Sequence, residues 1–254
     1  MKCSTNLAIV AIFLLDGICC QSIELPTVRI EMDEVGMHRK LKYSVQFDNQ
    51  LLGMNCEYML AQQLPAAVYV STDELDDLQR MEMLNAVYPK FIDIEIITEK
   101  AKPFTVLLRG NPKITASQSL PIHFRYHAAS KKRTKATVEI STPKLYISCP
   151  IGNNELIDSE LLVTEKHFCL DKQKSDFVEH LNAIKSADCL WQQANVDYQA
   201  QLPLRAEIPV GDANDYTLVL YTTVALSWAA AIWTVLRIHS ASRRINNELS
   251  KKDL

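Results

Sequence analysis

Two histidines with ligand-like spacing are the first candidates for chemistry. His123 and His127 lie four residues apart, and histidine is the commonest metal ligand among side chains. That spacing brings two side chains to one face only on a helix, whereas the surrounding residues alternate as in a strand. No adjacent acid completes the HExxH pattern of a zinc enzyme, and the serines and cysteines lack a recognisable base motif. The sequence therefore predicts no catalytic residue, no metal site and no cofactor.

A short basic run offers the next candidate. Lys131, Lys132 and Arg133 are consecutive, and we expect them in a hairpin loop; the alternative is a patch that meets lipid headgroups. The whole chain carries 27 Lys and Arg against 30 Asp and Glu, a formal net charge of −3. That balance argues against nucleic acid as a partner, because a nucleic-acid binder needs a basic face.

An apolar block lies near each end of the 254-residue chain. Residues 1–20 combine Lys2, an apolar run and small residues before a cleavage site, which is the pattern of a cleaved secretory signal. Residues 216–238 carry one charge, at Arg237, and are long enough to cross a hydrocarbon core of about 30 Å as a helix. Basic residues follow this block and acidic residues precede it, so the positive-inside rule places the C-terminus in the cytosol.

These blocks predict the domain organisation. Residues 21–215 form a lumenal domain, residues 216–238 a transmembrane helix and residues 239–254 a cytosolic tail. The chain ends in KKDL, which places Lys251 and Lys252 as in a dilysine retrieval signal of the endoplasmic reticulum. Such a signal is an address read by a receptor; the alternative is a solvated basic tail. We therefore expect a single-pass type I protein of the endoplasmic-reticulum membrane.

Four cysteines remain in the predicted lumenal domain: Cys56, Cys149, Cys169 and Cys189. An even number in an oxidising compartment predicts two disulfides. Four cysteines allow three pairings, and the sequence does not choose among them. We favour Cys56 with Cys149 and Cys169 with Cys189.

The lumenal domain is predicted to be mainly β. Short alternating or apolar segments separated by turn residues favour an antiparallel sandwich or barrel; they cover residues 28–32, 41–47, 66–70, 91–97, 104–108, 122–126, 137–140 and 144–148. Two helices are also predicted, one after the capping residue Ser71 and one over residues 176–193. Residues 196–215 are predicted to be a short connector before the membrane.

Several patches, in the same order along the chain, resemble the PIG-X family. They are MHRKLKYSVQF (37–47), CEYMLAQQLPAAVYVSTDEL (56–75), SLPIHFRYHAAS (119–130) with TPKLYISCP (142–150), and a last patch in which Cys189, Trp191 and Tyr198 lead through IPVG (208–211) into the apolar block. The third patch is the most specific of them.

The resemblance implies a non-catalytic accessory subunit of glycosylphosphatidylinositol (GPI) mannosyltransferase I. PIG-X proteins bind and stabilise PIG-M, a multispanning enzyme that adds the first mannose to the glucosaminyl-inositol lipid on the lumenal side. The β domain would cover a lumenal face of that enzyme, and residues 216–238 would pack against its membrane helices. The alternative is a membrane-bound chaperone or cargo receptor with broad clients.

The third patch supplies the candidate partner-binding residues: His123, Arg125 and Tyr126. In a continuous strand, Ile122, Phe124 and Tyr126 would face the core, while His123 and Arg125 would face outward. An outward Arg125 could pair with a carboxylate of the enzyme. The alternative is that this patch maintains the fold.

Overall fold

The computed structural model describes residues 24–33, 36–53, 55–149, 161–170, 177–181, 191–199 and 204–250. The predicted signal at 1–20, the predicted pairing of Cys169 with Cys189, and the tail lysines Lys251 and Lys252 lie outside what can be described. Those assignments stay predictions.

Within these ranges the chain forms strands and three α-helices. The strands, β1 to β14, are Thr27–Met32, His38–Gln46, Glu57–Leu64, Val68–Tyr69, Ala86–Val87, Phe104–Gly110, Thr115–Phe124, Lys135–Ile140, Lys144–Ser148, Leu162–Leu170, Phe177–Leu181, Trp191–Ala194, Asp197–Tyr198 and Leu204–Pro209. The helices, α1 to α3, are Asn49–Leu52, Thr72–Arg80 and Tyr216–Ser250, and a 3₁₀ turn covers Thr98–Lys100.

The strands form two sheets and a ribbon. The first sheet has the order β13-β1-β2-β7-β4, and the second has the order β11-β10-β12-β9-β3-β6-β5. Strands β8 and β14 pair with each other as a separate ribbon. Among the described residues, the paired strands run antiparallel, apart from the parallel contact of β1 with β13. The predicted mainly β, antiparallel architecture is confirmed.

One core fills the space between the sheets. Alternate residues of β2 are buried there. Strand β3 is buried on both faces over most of its length, because Met59 and Ala61 belong to a second, smaller cluster that also contains Trp191. The Tyr43 hydroxyl of the first sheet donates to Gln62 Oε1 of the second at 3.0 Å, and the Gln62 amide donates to the Ser141 carbonyl at 2.9 Å. These hydrogen bonds satisfy the buried Gln62 amide, and the bond from Tyr43 joins the first sheet to the second.

A disulfide closes one end of the second sheet. Cys56 precedes β3, Cys149 follows β9, and their sulfurs are bonded. The adjacent rung of these antiparallel neighbours pairs Glu57 with Ser148. This is one of the two favoured cysteine pairs.

Residues 91–97 do not form the predicted strand. The Asp93 carboxylate accepts the backbone N–H groups of Glu95 (3.0 Å) and Ile96 (3.2 Å). An aspartate that bonds the backbone just ahead of it offers the chain an alternative to a sheet ladder. Phe91 and Ile94, which lie on opposite faces in an alternating strand, are both exposed.

The predicted helix over residues 176–193 is also wrong. Its described parts are strands: β11 pairs with β10, and β12 pairs with β9. Residues 196–215 are likewise more than a connector, because they contain β13 and β14. In these places pairing with distant strands overrides the local helical pattern.

The helical predictions at Ser71 and at residue 216 are confirmed. The Ser71 hydroxyl accepts the N–H of Glu74, as an N-cap does. Helix α3 begins at Tyr216, and the most apolar 18-residue window within Tyr216–Ile245 has a mean hydropathy of 1.6 and contains no buried residue. By length and composition this helix could cross a membrane.

Candidate interaction site

The end of β7 positions the three predicted partner-binding residues. Ile122 and Phe124 are buried in the core as expected. The strand ends at Phe124, however, so the alternation does not extend to the next two residues. Arg125 is only 4% exposed, whereas Tyr126 is 71% exposed. The expected outward Arg125 and inward Tyr126 are therefore both wrong.

Arg125 joins three segments of the chain. Its backbone N–H donates to the Ala67 carbonyl at 2.8 Å, and its Nη1 donates to the Ile96 carbonyl at 3.1 Å. The guanidinium carbon lies 5.0 Å from the centre of the Tyr69 ring, which is a cation–π distance. Burial lowers the pKa of the guanidinium from its ordinary value, but arginine stays protonated in proteins. Arg125 thus maintains the fold beneath the surface that Tyr126 presents.

His123 lies in a row of rings across three neighbouring strands. His38 and Tyr69 are its partners in the β2 and β4 ladders. The His38 ring stacks on one side at 4.3 Å between centres, and the Tyr69 ring stacks on the other at 5.0 Å. The His123 Nε2 atom lies 3.2 Å from Oε2 of Glu74 in α2. These contacts hold the His123 ring in a fixed position.

His127 lies in a different environment from His123. Its Nδ1 atom is 3.5 Å from Oε1 of Glu99, whereas His123 faces Glu74. The two histidines therefore reach different carboxylates, as expected of residues outside a helix.

The segment after β7, residues 125–134, is called the 125–134 loop below. The Tyr126 carbonyl accepts the Thr98 N–H at 3.0 Å, and the Glu99 carboxylate accepts the Ala128 N–H at 3.0 Å. The pKa of Glu99 is lowered from its ordinary value, mainly because its carboxylate accepts this hydrogen bond from Ala128. Both contacts hold the loop against the 3₁₀ turn.

The same loop is bonded to the segment that leads into α3. The Ser130 N–H donates to the Gly211 carbonyl at 2.9 Å, and the Ala213 N–H donates to the Ser130 carbonyl at 3.2 Å. The Val210 N–H donates to the Thr134 carbonyl at 2.9 Å. The loop therefore connects the end of β7, in space, to a segment that lies only a few residues before Tyr216, where α3 begins.

The basic run lies exposed in this loop. Lys131, Lys132 and Arg133 are all exposed, and the Ser130 hydroxyl accepts the N–H groups of the last two at 3.2 Å. The predicted hairpin is wrong, because β7 belongs to the first sheet and β8 to the separate ribbon. The loop crosses between sheets and carries its basic side chains near the start of α3.

Comparison with known proteins decides the family. Residues 34–239, most of the chain and all of the site, match the family described as PIG-X / PBN1. The chain belongs to this family. The PIG-X assignment drawn from the sequence patches is thereby confirmed.

Three relatives of this PIG-X / PBN1 chain carry the description "GPI alpha-1,4-mannosyltransferase I, stabilizing subunit". The human protein is 30% identical over 128 residues, a match that covers 48% of this chain and 50% of the relative. The rat protein is 24% identical and covers 84% of this chain and 81% of the relative. The mouse protein is 24% identical, with coverage of 79% and 76%. The chain therefore spans about half of the human relative and about four fifths of the rat relative.

Sequence reasoning missed two contributors to this site. His38 and Glu74 converge on His123, although they are 85 and 49 residues away in the sequence. The acidic first turn of α2 was visible as a capping signal, but nothing local paired it with a histidine. The link from Ser130 to Gly211 had no local signal either, because a loop-to-loop hydrogen bond leaves no periodic pattern.

Proposed function

We propose that this chain is the non-catalytic stabilising subunit of the GPI mannosyltransferase I complex of the endoplasmic reticulum. Its role there is to support transfer of the first mannose during GPI-anchor biosynthesis. Membership of the PIG-X / PBN1 family carries this proposal, together with relatives that are named as that stabilising subunit. A subunit that binds only the folded enzyme raises its stability by mass action.

The proposed topology is single-pass type I. Residues 1–20 are the export signal, residues 21–215 the lumenal domain, residues 216–238 the membrane span and residues 239–254 the cytosolic tail with the retrieval lysines. Two features support it: α3 is long and apolar enough to cross a membrane, and basic residues follow its apolar part. The positive-inside rule then places the tail in the cytosol.

The proposed partner is the multispanning catalytic subunit, a PIG-M-like protein, and α3 is one contact. The hydroxyls of Thr222, Ser227 and Thr234 each donate to a backbone carbonyl of the preceding turn. These groups are therefore satisfied within the helix. Ala225 and Ala229 are four apart, a spacing of small residues that lets a second helix approach closely. Close packing, more than hydrogen bonding, is the proposed means of contact within the bilayer.

The second proposed contact is the outer surface of the 125–134 loop. Tyr126 is 71% exposed there, and aromatic side chains are enriched among residues that dominate binding energy at interfaces. Arg125 holds this surface from beneath. The loop ends beside the start of α3, so one partner that packs along α3 can also reach Tyr126.

We assign the basic run to the lipid surface. Ser130 is hydrogen-bonded to Gly211 and Ala213, and α3 begins at Tyr216. The exposed side chains of Lys131, Lys132 and Arg133 therefore lie close to the level where α3 enters a bilayer. Lipid phosphates are the partners that such a run attracts.

Affinity purification of the full-length chain from detergent-solubilised reticulum membranes tests this function. We expect a multispanning mannosyltransferase to co-purify in stoichiometric amount, and we expect the first mannosylated GPI intermediate to decrease when the chain is deleted. A deletion that leaves this intermediate unchanged would refute the proposal. Recovery of many unrelated membrane proteins, none of them stoichiometric, would instead support the alternative of a broad chaperone or cargo receptor.

A further inference from the structure

Three side chains of metal-binding type converge where β2, β7 and α2 meet. The His123 Nε2 atom lies 3.2 Å from Glu74 Oε2, and the His38 Nε2 atom lies 3.5 Å from Glu74 Oε1. One ligand atom from each residue lies within 4.8 Å of the other two. Two imidazoles and one carboxylate form a donor set that zinc accepts in proteins.

The backbone explains why these residues meet. His38 and His123 are directly opposed in the antiparallel ladder of β2 and β7, so their side chains leave the same face of the sheet. Glu74 lies in the first turn of α2, and the start of that helix is fixed by the Ser71 cap. The three ligands thus come from two regular strands and a capped helix, elements that hold a site more rigidly than loops do.

We propose that His38, Glu74 and His123 bind one divalent transition-metal ion of the zinc class. In a tetrahedral site with bonds of about 2.0–2.1 Å, neighbouring ligand atoms lie roughly 3.3 Å apart. The distance from His123 Nε2 to Glu74 Oε2, 3.2 Å, already agrees with that separation, whereas His38 Nε2 lies 3.5 Å from the other carboxylate oxygen. Water takes the fourth position, and the bound ion connects α2 to the first sheet.

Binding of one ion requires one imidazole ring to rotate, and we expect that ring to be the one of His38. The two imidazole planes are within 9° of parallel, with centres 4.3 Å apart, so a single ion cannot lie in both planes. One ring must turn out of the stack. The His123 side chain is packed between His38 and Tyr69 and is 23% exposed, whereas that of His38 is 49% exposed. His38 therefore rotates towards the ion while His123 keeps its place.

The site has a natural comparison within the same chain. His127 and Glu99 form a histidine–carboxylate pair at 3.5 Å, but this pair is not part of a convergent set among the described residues. One imidazole and one carboxylate make a much weaker site than three ligands. A substitution at His127 therefore serves as the matched control.

The test is metal binding by the full-length protein purified in detergent and stripped with a chelator. Zn²⁺ binding is followed by titration calorimetry and by the shift in melting temperature, and Co²⁺ is followed by its visible absorption, which reports tetrahedral coordination. We expect one equivalent of Zn²⁺ to bind and to raise the melting temperature in the wild type and in His127→Gln. In His38→Gln and in Glu74→Gln, both the binding and the stabilisation should be lost.

The variants also separate metal binding from folding. His38 is half-exposed, so His38→Gln should keep the melting temperature of the metal-free wild type and lose only the response to Zn²⁺. Absence of Zn²⁺ binding by the wild type would overturn the proposal. Undiminished binding in both His38→Gln and Glu74→Gln would also overturn it, because the ion would then lie elsewhere.

Discussion

The backbone N–H of Ser130 donates to the carbonyl of Gly211 at 2.9 Å, which joins the 125–134 loop to the segment that enters α3. The patch that most strongly suggested PIG-X thus lies at the point where the β domain meets α3. A partner packed along the start of α3 would lie beside this loop.

Tyr126→Ala should weaken partner association without destabilising the chain. The ring is 71% exposed, and loss of an exposed side chain usually changes the free energy of unfolding by no more than about 0.5 kcal/mol. An aromatic anchor at an interface contributes about 2 kcal/mol or more. Co-purified catalytic subunit should therefore decrease about tenfold or more.

Ile114→Ala is the matched control for Tyr126→Ala. Ile114 is 70% exposed and lies just before β7 begins, whereas Tyr126 lies just after it ends. This variant should retain the catalytic subunit. Equal loss in both variants would mean that the 125–134 loop has no special role in association.

Arg125→Ala should lower stability and association together. The change removes the hydrogen bond to the Ile96 carbonyl and the contact with the Tyr69 ring. A charge-assisted hydrogen bond and a cation–π contact together contribute about 2–4 kcal/mol. Chemical denaturation of the full-length protein measures this, with the exposed Arg133→Ala as a control that should change little. Unchanged stability of Arg125→Ala would contradict the supporting role.

Acid should release the contact between Glu99 and the 125–134 loop. The pKa of Glu99 is lowered, chiefly because the carboxylate accepts the Ala128 N–H. A carboxyl group with a depressed folded-state pKa contributes stability above its unfolded pKa, about 4.3 for glutamate, and loses that contribution as the pH falls through the folded value.

Hydrogen exchange at the Ala128 amide measures this release. After correction for intrinsic exchange rates, its protection should be constant near neutral pH and should decrease below about pH 4.3. In Glu99→Gln the side chain does not titrate, so the acid-dependent decrease should disappear. The same pH profile in both proteins would rule out Glu99 as the titrating group.

Gly110→Ala should destabilise the β domain. A Cβ atom at this position would lie 2.8 Å from the Tyr58 ring and 2.8 Å from Gln118 Nε2. Both neighbours are fixed, since Gln118 Nε2 donates to the Tyr58 hydroxyl and to the Arg109 carbonyl. Overpacking of this kind costs about 1–3 kcal/mol.

Gly211→Ala provides the comparison for Gly110→Ala. A Cβ atom there would meet only the Ala129 side chain, at an ordinary contact distance of 3.8 Å. Denaturant unfolding should give a lower midpoint for Gly110→Ala and a midpoint close to wild type for Gly211→Ala. Equal midpoints for Gly110→Ala and the wild type would show that the approach of Tyr58 is not close.

The sequence predicted elements whose signals are local. Ser71 caps α2 through the next turn, and the alternation of β2 corresponds to one buried face. The strand predicted from alternation at residues 91–97 does not form, because the Asp93 carboxylate accepts the backbone N–H of Glu95. The alternation predicted through Tyr126 also stops too late, because no local signal in the sequence marks the end of β7 at Phe124.

Local sequence patterns could not predict that His38, Glu74 and His123 lie together. His38 reaches His123 only because β2 pairs with β7 in one register, and Glu74 joins them through the placement of α2. Long-range pairing of this kind leaves no periodicity in a single sequence. The proposed partner-facing role of the patch rests on family resemblance, whereas only the structure shows that Arg125 is buried.

The half-life of the catalytic mannosyltransferase subunit in cells tests the central claim most directly. Pulse-chase labelling compares cells that lack this chain with cells in which the full-length chain has been restored. The account predicts a several-fold shorter half-life without the chain and full recovery with it. An unchanged half-life in cells without the chain would contradict a stabilising role.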